Sequence, residues 1–165
     1  MIFIRTDMNE KIATGHVMRC LSIADALKEQ GEEVHFLLAD EQAQNLIQSR
    51  GYESIVLHTV WNDMDSEIPV LLAAIDRYKI TRILIDSYQV TLKYLTEIKK
   101  MVQIMYIDDL KLFCYPVDVI VCYANYWSRF YSRQNDSSTI FLLGTKYVPL
   151  RKVFWNCERK KNTKE

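Results

Sequence analysis

Four residues in one short run have the types and spacing to do chemistry. They are Thr14, Gly15 and His16, with Arg19 one turn further on. An imidazole next to a glycine at the start of a helix can act as a general base, because the glycine lets a ligand approach the backbone closely. The first turn of a helix carries unpaired N–H groups and the positive end of the dipole, which attract phosphate or carboxylate. The same field disfavours an imidazolium, and neutral imidazole is the form that takes a proton. Thr14 fits an N-cap. His16 and Arg19, three apart, project from neighbouring positions, so one can move a proton while the other holds an anion. The spacing fits a second reading equally well, in which His16 only caps the helix and Arg19 is solvated or ion-paired.

The elements that must position these residues are legible on either side. Met1–Arg5 is a short apolar run that reads as a buried strand. Val17, Cys20, Leu21, Ala24 and Leu27 recur at helical spacing, and Gly31 then provides a C-cap. Further on, the pattern predicts strands at 33–38, 54–57, 82–86, 103–107, 117–122 and 139–143, and helices at 41–50, 68–78 and 91–100. Pro69 sits in the first turn of the helix at 68–78. The polar segment 58–67 reads as a loop. Apolar strands alternating with amphipathic helices call for a parallel sheet covered on both faces, so the expected fold is an α/β, Rossmann-like doubly wound domain of about seven strands. That domain occupies residues 1–150. Residues 151–165 lose the apolar period and end in lysines, as a charged tail or the start of a linker.

Composition narrows the classes. The chain has 165 residues, 49% hydrophobic and 25% charged, which suits one globular domain. Lys+Arg and Asp+Glu are 21 each, and this balance argues against nucleic acid or an anionic membrane surface as partner. No apolar run reaches the ~20 residues of a membrane span, and the N-terminus lacks the form of a signal peptide, so the expected location is cytoplasmic. Cys20, Cys114, Cys122 and Cys157 show no CxxC pair and read as free thiols. One glycine after the first strand does not make a dinucleotide fingerprint, and no Walker lysine appears. The expectation is no cofactor and no metal.

In a parallel sheet the carboxyl ends of the strands line the crevice. They bring Asp7, Asp86-Ser87-Tyr88, Asp108-Asp109 and Asn125 into consideration. Tyr88 offers a hydroxyl for a sugar or water, or an aromatic ring packed over the strand ends. Asp86 fits a cap or a cation partner. Asp108 and Asp109 read as one capping and one solvated carboxylate, with a metal or acid pair as the alternative. His35 lies within an apolar strand as a core histidine, and His58 lies in a loop near Trp61.

Five segments occur in the order and spacing of one family: Ile4–Asp7, Ile12–Leu27, Leu84–Tyr88, Tyr106–Leu110 and Leu142–Phe154. With them the chain resembles the N-terminal half of the nucleotide-sugar hydrolase of pseudaminic acid biosynthesis, which acts on UDP-2,4-diacetamido-2,4,6-trideoxy-β-L-altropyranose. It also resembles the related spore coat polysaccharide proteins of the SpsG type. The resemblance implies a GT-B-like architecture of two Rossmann-like domains, with release of UDP by water attack at the anomeric carbon and no metal. His16 then matches the base and Gly15 and Arg19 the other fixed positions of its motif. Tyr88 matches a tyrosine near the sugar, and Asp7 the acidic residue ending the first strand. The family has glycine at the position of Ala13 and asparagines around 122–124, where this chain offers only Asn125. The implied partners are a UDP-sugar and a C-terminal nucleotide-binding domain outside these 165 residues, fused or on a separate chain. Two other readings compete: a GT-B-type glycosyltransferase of polysaccharide biosynthesis, and an inactive interaction fragment that forms a homodimer.

Overall fold

The computed structural model describes residues 1–131 and 138–157. Seven strands form one parallel sheet: β1 (Ile2–Thr6), β2 (Val34–Leu38), β3 (Glu53–Val56), β4 (Arg82–Asp86), β5 (Gln103–Ile107), β6 (Val119–Cys122) and β7 (Ile140–Leu143). Their order is β3-β2-β1-β4-β5-β6-β7, so the winding reverses between β1 and β4. That reversal leaves a crevice at the carboxyl ends of these two strands, where Thr6 pairs with Asp86. The expected fold class is the one observed.

Side-chain alternation divides the core. On one face Ile4, Phe36, Leu38, Leu84, Ile107 and Val121 pack against α1 (Gly15–Glu29) and α2 (Gln44–Ser49). The other face carries Phe3, Leu37, Ile83, Ile85, Ile104 and Tyr106 beneath α3 (Met64–Tyr78) and α4 (Leu92–Lys99). A short helix, α5 (Trp127–Tyr131), follows β6, a place where the sequence pattern predicts none.

Several boundaries depart from expectation, among them the helix expected at 41–50, which opens as a 3-10 turn over Glu41–Ala43 before α2 begins. The helix expected at 68–78 begins at Met64, because Asp63 caps it by accepting from the Ser66 N–H at 3.3 Å and Asp65 and Glu67 suit its first turn. Four of the ten residues of the expected loop 58–67 are therefore helical, and Pro69 lies inside the helix rather than in its first turn. Strand β6 starts at Val119, later than the expected 117. At the end of α1, Gly31 takes φ +82° and its N–H donates to Lys28, as its reading as a C-cap requires.

Residues 152–154 form a 3-10 turn, and Lys152 pairs with Glu29 of α1. The first part of the expected tail thus returns to the domain; residues 158–165 lie outside the described residues. Among the described residues no helix is long and apolar enough to cross a membrane.

Candidate active site

Alternation along β1 puts Arg5 on the same side as Phe3, facing α3, where a lone cation needs a partner. Glu67, in the first turn of α3, supplies one: Arg5 donates to it through Nε at 2.8 Å and Nη2 at 2.6 Å, and through Nη1 to Asp7 at 2.5 Å. Glu67 also accepts from Thr59 at 2.7 Å and Tyr94 at 2.9 Å. Burial works to raise the Glu67 carboxyl, but Arg5 and these hydroxyls outweigh it and hold it below the usual range. Asp7 is shifted the other way, upward, because burial outweighs Arg5 and the Ala39 N–H that donates to it at 2.8 Å. Asp7 therefore joins the ends of β1 and β2 and also lines a small cavity beside His16.

Across the switch point, Asp86 at the end of β4 gathers the residues of α1. His16 Nδ1 lies 2.7 Å from Asp86 Oδ1. Arg19 clamps the same carboxylate with both oxygens engaged, Nε to Oδ2 at 2.6 Å and Nη2 to Oδ1 at 2.5 Å. Burial alone would raise Asp86, yet Arg19 and His16 prevail and hold it below the ordinary carboxylate range. Asp86 is thus ionised and can only accept, so Nδ1 carries a hydrogen, and in the neutral form of the ring Nε2 is the nitrogen with the lone pair. The 3.3 Å approach of Arg19 Nη2 to Nδ1 is then a contact between two donors. This is the positioned imidazole of a base–carboxylate pair, in which the carboxylate also stabilises the imidazolium formed on proton uptake. It acts against the helix dipole, which on its own disfavours that cation.

Arg19 lines the cleft and is ion-paired within the protein, the second of the two readings its spacing allows. Its remaining Nη1 donates to Asp109 at 2.5 Å and to the Tyr123 hydroxyl at 2.8 Å, so four of its five N–H groups are engaged within the protein. Of the Asp108–Asp109 pair, read as one capping and one solvated carboxylate, Asp109 is not left to solvent: it accepts from both Arg19 and Tyr88, the latter at 2.8 Å. Tyr88 crosses His16 edge to face at 4.5 Å. Burial, then the Asp109 carboxylate, push its phenol up to about 12, so it remains a donor. Asp108 is the capping member of its pair: it takes the Leu110 and Lys111 N–H groups and the hydroxyls of Tyr115 and Tyr131.

Gly15, His16, Arg19 and Tyr88 converge, with Ile12 and Tyr123, on an open cleft of about 340 Å³. A Cβ on Gly15 would meet no atom within 4 Å, so internal packing does not require this glycine, and its bare backbone faces the cleft. Thr14 is at the N-cap position but is helical in backbone (φ −96°, ψ −4°), and its side chain makes no cap bond. Thr14 and Asn125 are both exposed and outside the residues lining the cleft. His35 stacks on Phe3 at 5.2 Å and pairs with Glu33 and Glu53 toward solvent, and exposed His58 pairs with Glu41. Nothing in the sequence marks Glu67 and Trp61 as site residues, and for Tyr123 its position just past a strand end is the one signal.

A second, apolar groove of about 360 Å³ opens at the opposite end of the sheet between α1 and β5–β6. Its charged residues Arg82 and Asp118 are already paired with Glu32 and Lys99, which leaves no acid or base for chemistry. Among the described residues no three His, Cys, Asp or Glu side chains converge to hold a metal ion.

No protein-family model and no curated protein sequence matches the chain. Among the solved structures similar in fold are the following two. One is MurG of Acinetobacter baumannii, with TM-score 0.57 and 11% identity, over 84% of this chain and 44% of that one. The other is a glycosyltransferase from Rickettsia africae ESF-5, with TM-score 0.60 and 10% identity, over 85% and 41%. The chain spans less than half the length of either. It is a Rossmann-like α/β domain with the fold found in GT-B glycosyltransferase-like proteins.

Proposed function

We propose that this chain is the sugar-facing half of a nucleotide-sugar hydrolase that releases UDP from a UDP-amino-deoxysugar. The observation that carries this reading is the His16–Asp86 pair standing at the switch-point cleft with Nε2 left to accept a proton. In the proposed step Nε2 takes a proton from water and the water oxygen bonds to the anomeric carbon. The bond from that carbon to the phosphate oxygen breaks, and its electron pair leaves with UDP. Tyr88 covers the imidazole and presents a ring and hydroxyl to the sugar. With Arg19 committed to Asp86, Asp109 and Tyr123, the grip on the nucleotide falls to a second Rossmann-like domain or partner chain.

A glycosyltransferase is the second reading, favoured by the fold shared with a solved glycosyltransferase. In it, His16 would deprotonate an acceptor hydroxyl. The two are separated by running the complete protein on the UDP-sugar in ¹⁸O-water without acceptor. Hydrolysis places the label on the sugar's anomeric hydroxyl and none in UDP. Product formation only after an acceptor sugar is added would establish transfer instead.

A further inference from the structure

His16 borders two cavities of very different size. Ile12, His16 and Tyr88 line both. The open cleft continues past Gly15, Arg19 and Tyr123, whereas the other cavity is narrower, walled by Asp7, Trp61, Asp86, Ser87 and Gln89, and holds about 10 Å³. That is room for one water and too little for a sugar hydroxyl with its carbon. Asp7, Ser87 and Gln89 stand among its walls with the imidazole, polar residues of the kind a buried water needs for its two to four hydrogen bonds.

The Trp61 wall is held firmly. Its loop is tied to the end of β2 and the following residue by Leu57 N–H to Leu38 at 2.8 Å and Thr59 N–H to Ala39 at 2.9 Å, and it closes with Asp63 N–H to Val60 at 3.0 Å. His58 takes φ +54° to make the bend. The Thr59 hydroxyl anchors the loop to the buried Arg5–Glu67 pair, which also holds Asp7. One network therefore fixes two walls of the cavity, and this gives the buried charges a purpose beyond packing.

We infer that this small cavity seats the attacking water and that Trp61 is the residue that sets specificity for water over alcohols. The inference rests on the hydrolase reading of the same site. The step is the one given above, with water as nucleophile; an alcohol in its place would lose its proton to His16 Nε2 and form an alkyl glycoside with release of UDP.

The test uses the complete protein, UDP-2,4-diacetamido-2,4,6-trideoxy-β-L-altropyranose and methanol as competing nucleophile, scoring methyl glycoside against free sugar. Trp61→Ala raises that ratio by about 10-fold or more, the discrimination a pocket makes over one methyl-sized group. Trp61→Phe gives a smaller rise, and Gln89→Ala, which opens the same cavity from another wall, gives a rise that does not depend on the tryptophan variant folding. Ratios within twofold of wild type in these variants, with UDP release still dependent on His16, would overturn the water seat alone. UDP release that survives His16→Ala would instead remove the hydrolase reading and the seat together.

Discussion

Asp86 decides what His16 can do. An ionised carboxylate at Nδ1 fixes the proton on that nitrogen and aims the ring, the role an orienting acid plays for a catalytic imidazole. Asp86→Asn presents an amide in its place, which can donate to Nδ1 and drive the proton to Nε2. Turnover by the complete protein should then fall by about 10³-fold or more with little change in KM, and long-range ¹H–¹⁵N NMR of the neutral ring should show the proton moved to Nε2. Unchanged turnover would mean that Asp86 is structural. The sequence shows His16 and Arg19 as neighbours because helical spacing is local. It does not show that Arg19 spends its donors on carboxylates 67 and 90 residues away, since only the sheet brings those ends together. Arg5 is illegible for the same reason: in the sequence it is the last letter of an apolar run, and its partner is 62 residues distant.

Between β1 and α1 the chain must turn sharply to bring His16 over Asp86. Asn9 accepts from the Lys11 and Ile12 N–H groups at 2.9 and 3.1 Å and forms the first bend. Ala13 makes the second with φ +52°, a left-handed conformation that costs a non-glycine residue about 1–2 kcal/mol. Ala13→Gly should therefore stabilise the fold by about 0.5–1 kcal/mol after the added freedom of the unfolded chain is subtracted, raising Tm by a few degrees. A lower Tm would show that the alanine methyl packs usefully. The strand–loop–helix order here was plain from periodicity, and so was the alternation along the chain. The start of α3 was less plain, because a polar first turn looks like loop until Asp63 is recognised as a cap and Asp65 and Glu67 as the acids a helix N-terminus favours.

At the scale of the whole domain, seven of the ten tyrosines, Tyr52, Tyr88, Tyr94, Tyr106, Tyr115, Tyr123 and Tyr131, have phenols raised first of all by burial. Free phenols ionise at about pH 10. A raised folded value means the folded state keeps protons that the unfolded chain has lost, so these groups cost no stability below pH 10 and draw it down as pH rises beyond. Burial raises the thiols of Cys20 and Cys122 in the same sense, and free thiols ionise at about pH 8.5, so the guanidinium midpoint of unfolding should begin to fall there and fall more steeply beyond about pH 10; a flat profile to about pH 11.5 would contradict the packing described. The parallel sheet is legible in the alternation of strands and helices, whereas the strand order that sets its switch point between β1 and β4 is seen only in the structure. Which residues face the crevice is likewise seen only there, because Asp7, Asp109 and Arg19 differ only in what lies across from them.

The claim beneath all of this is that His16 removes the proton. UDP released from the UDP-sugar by the complete protein, measured side by side for wild type and for His16→Ala of unchanged far-UV circular dichroism, tests it most directly. The account predicts a loss of about 10²- to 10⁴-fold in rate. A variant within twofold of wild type would contradict it.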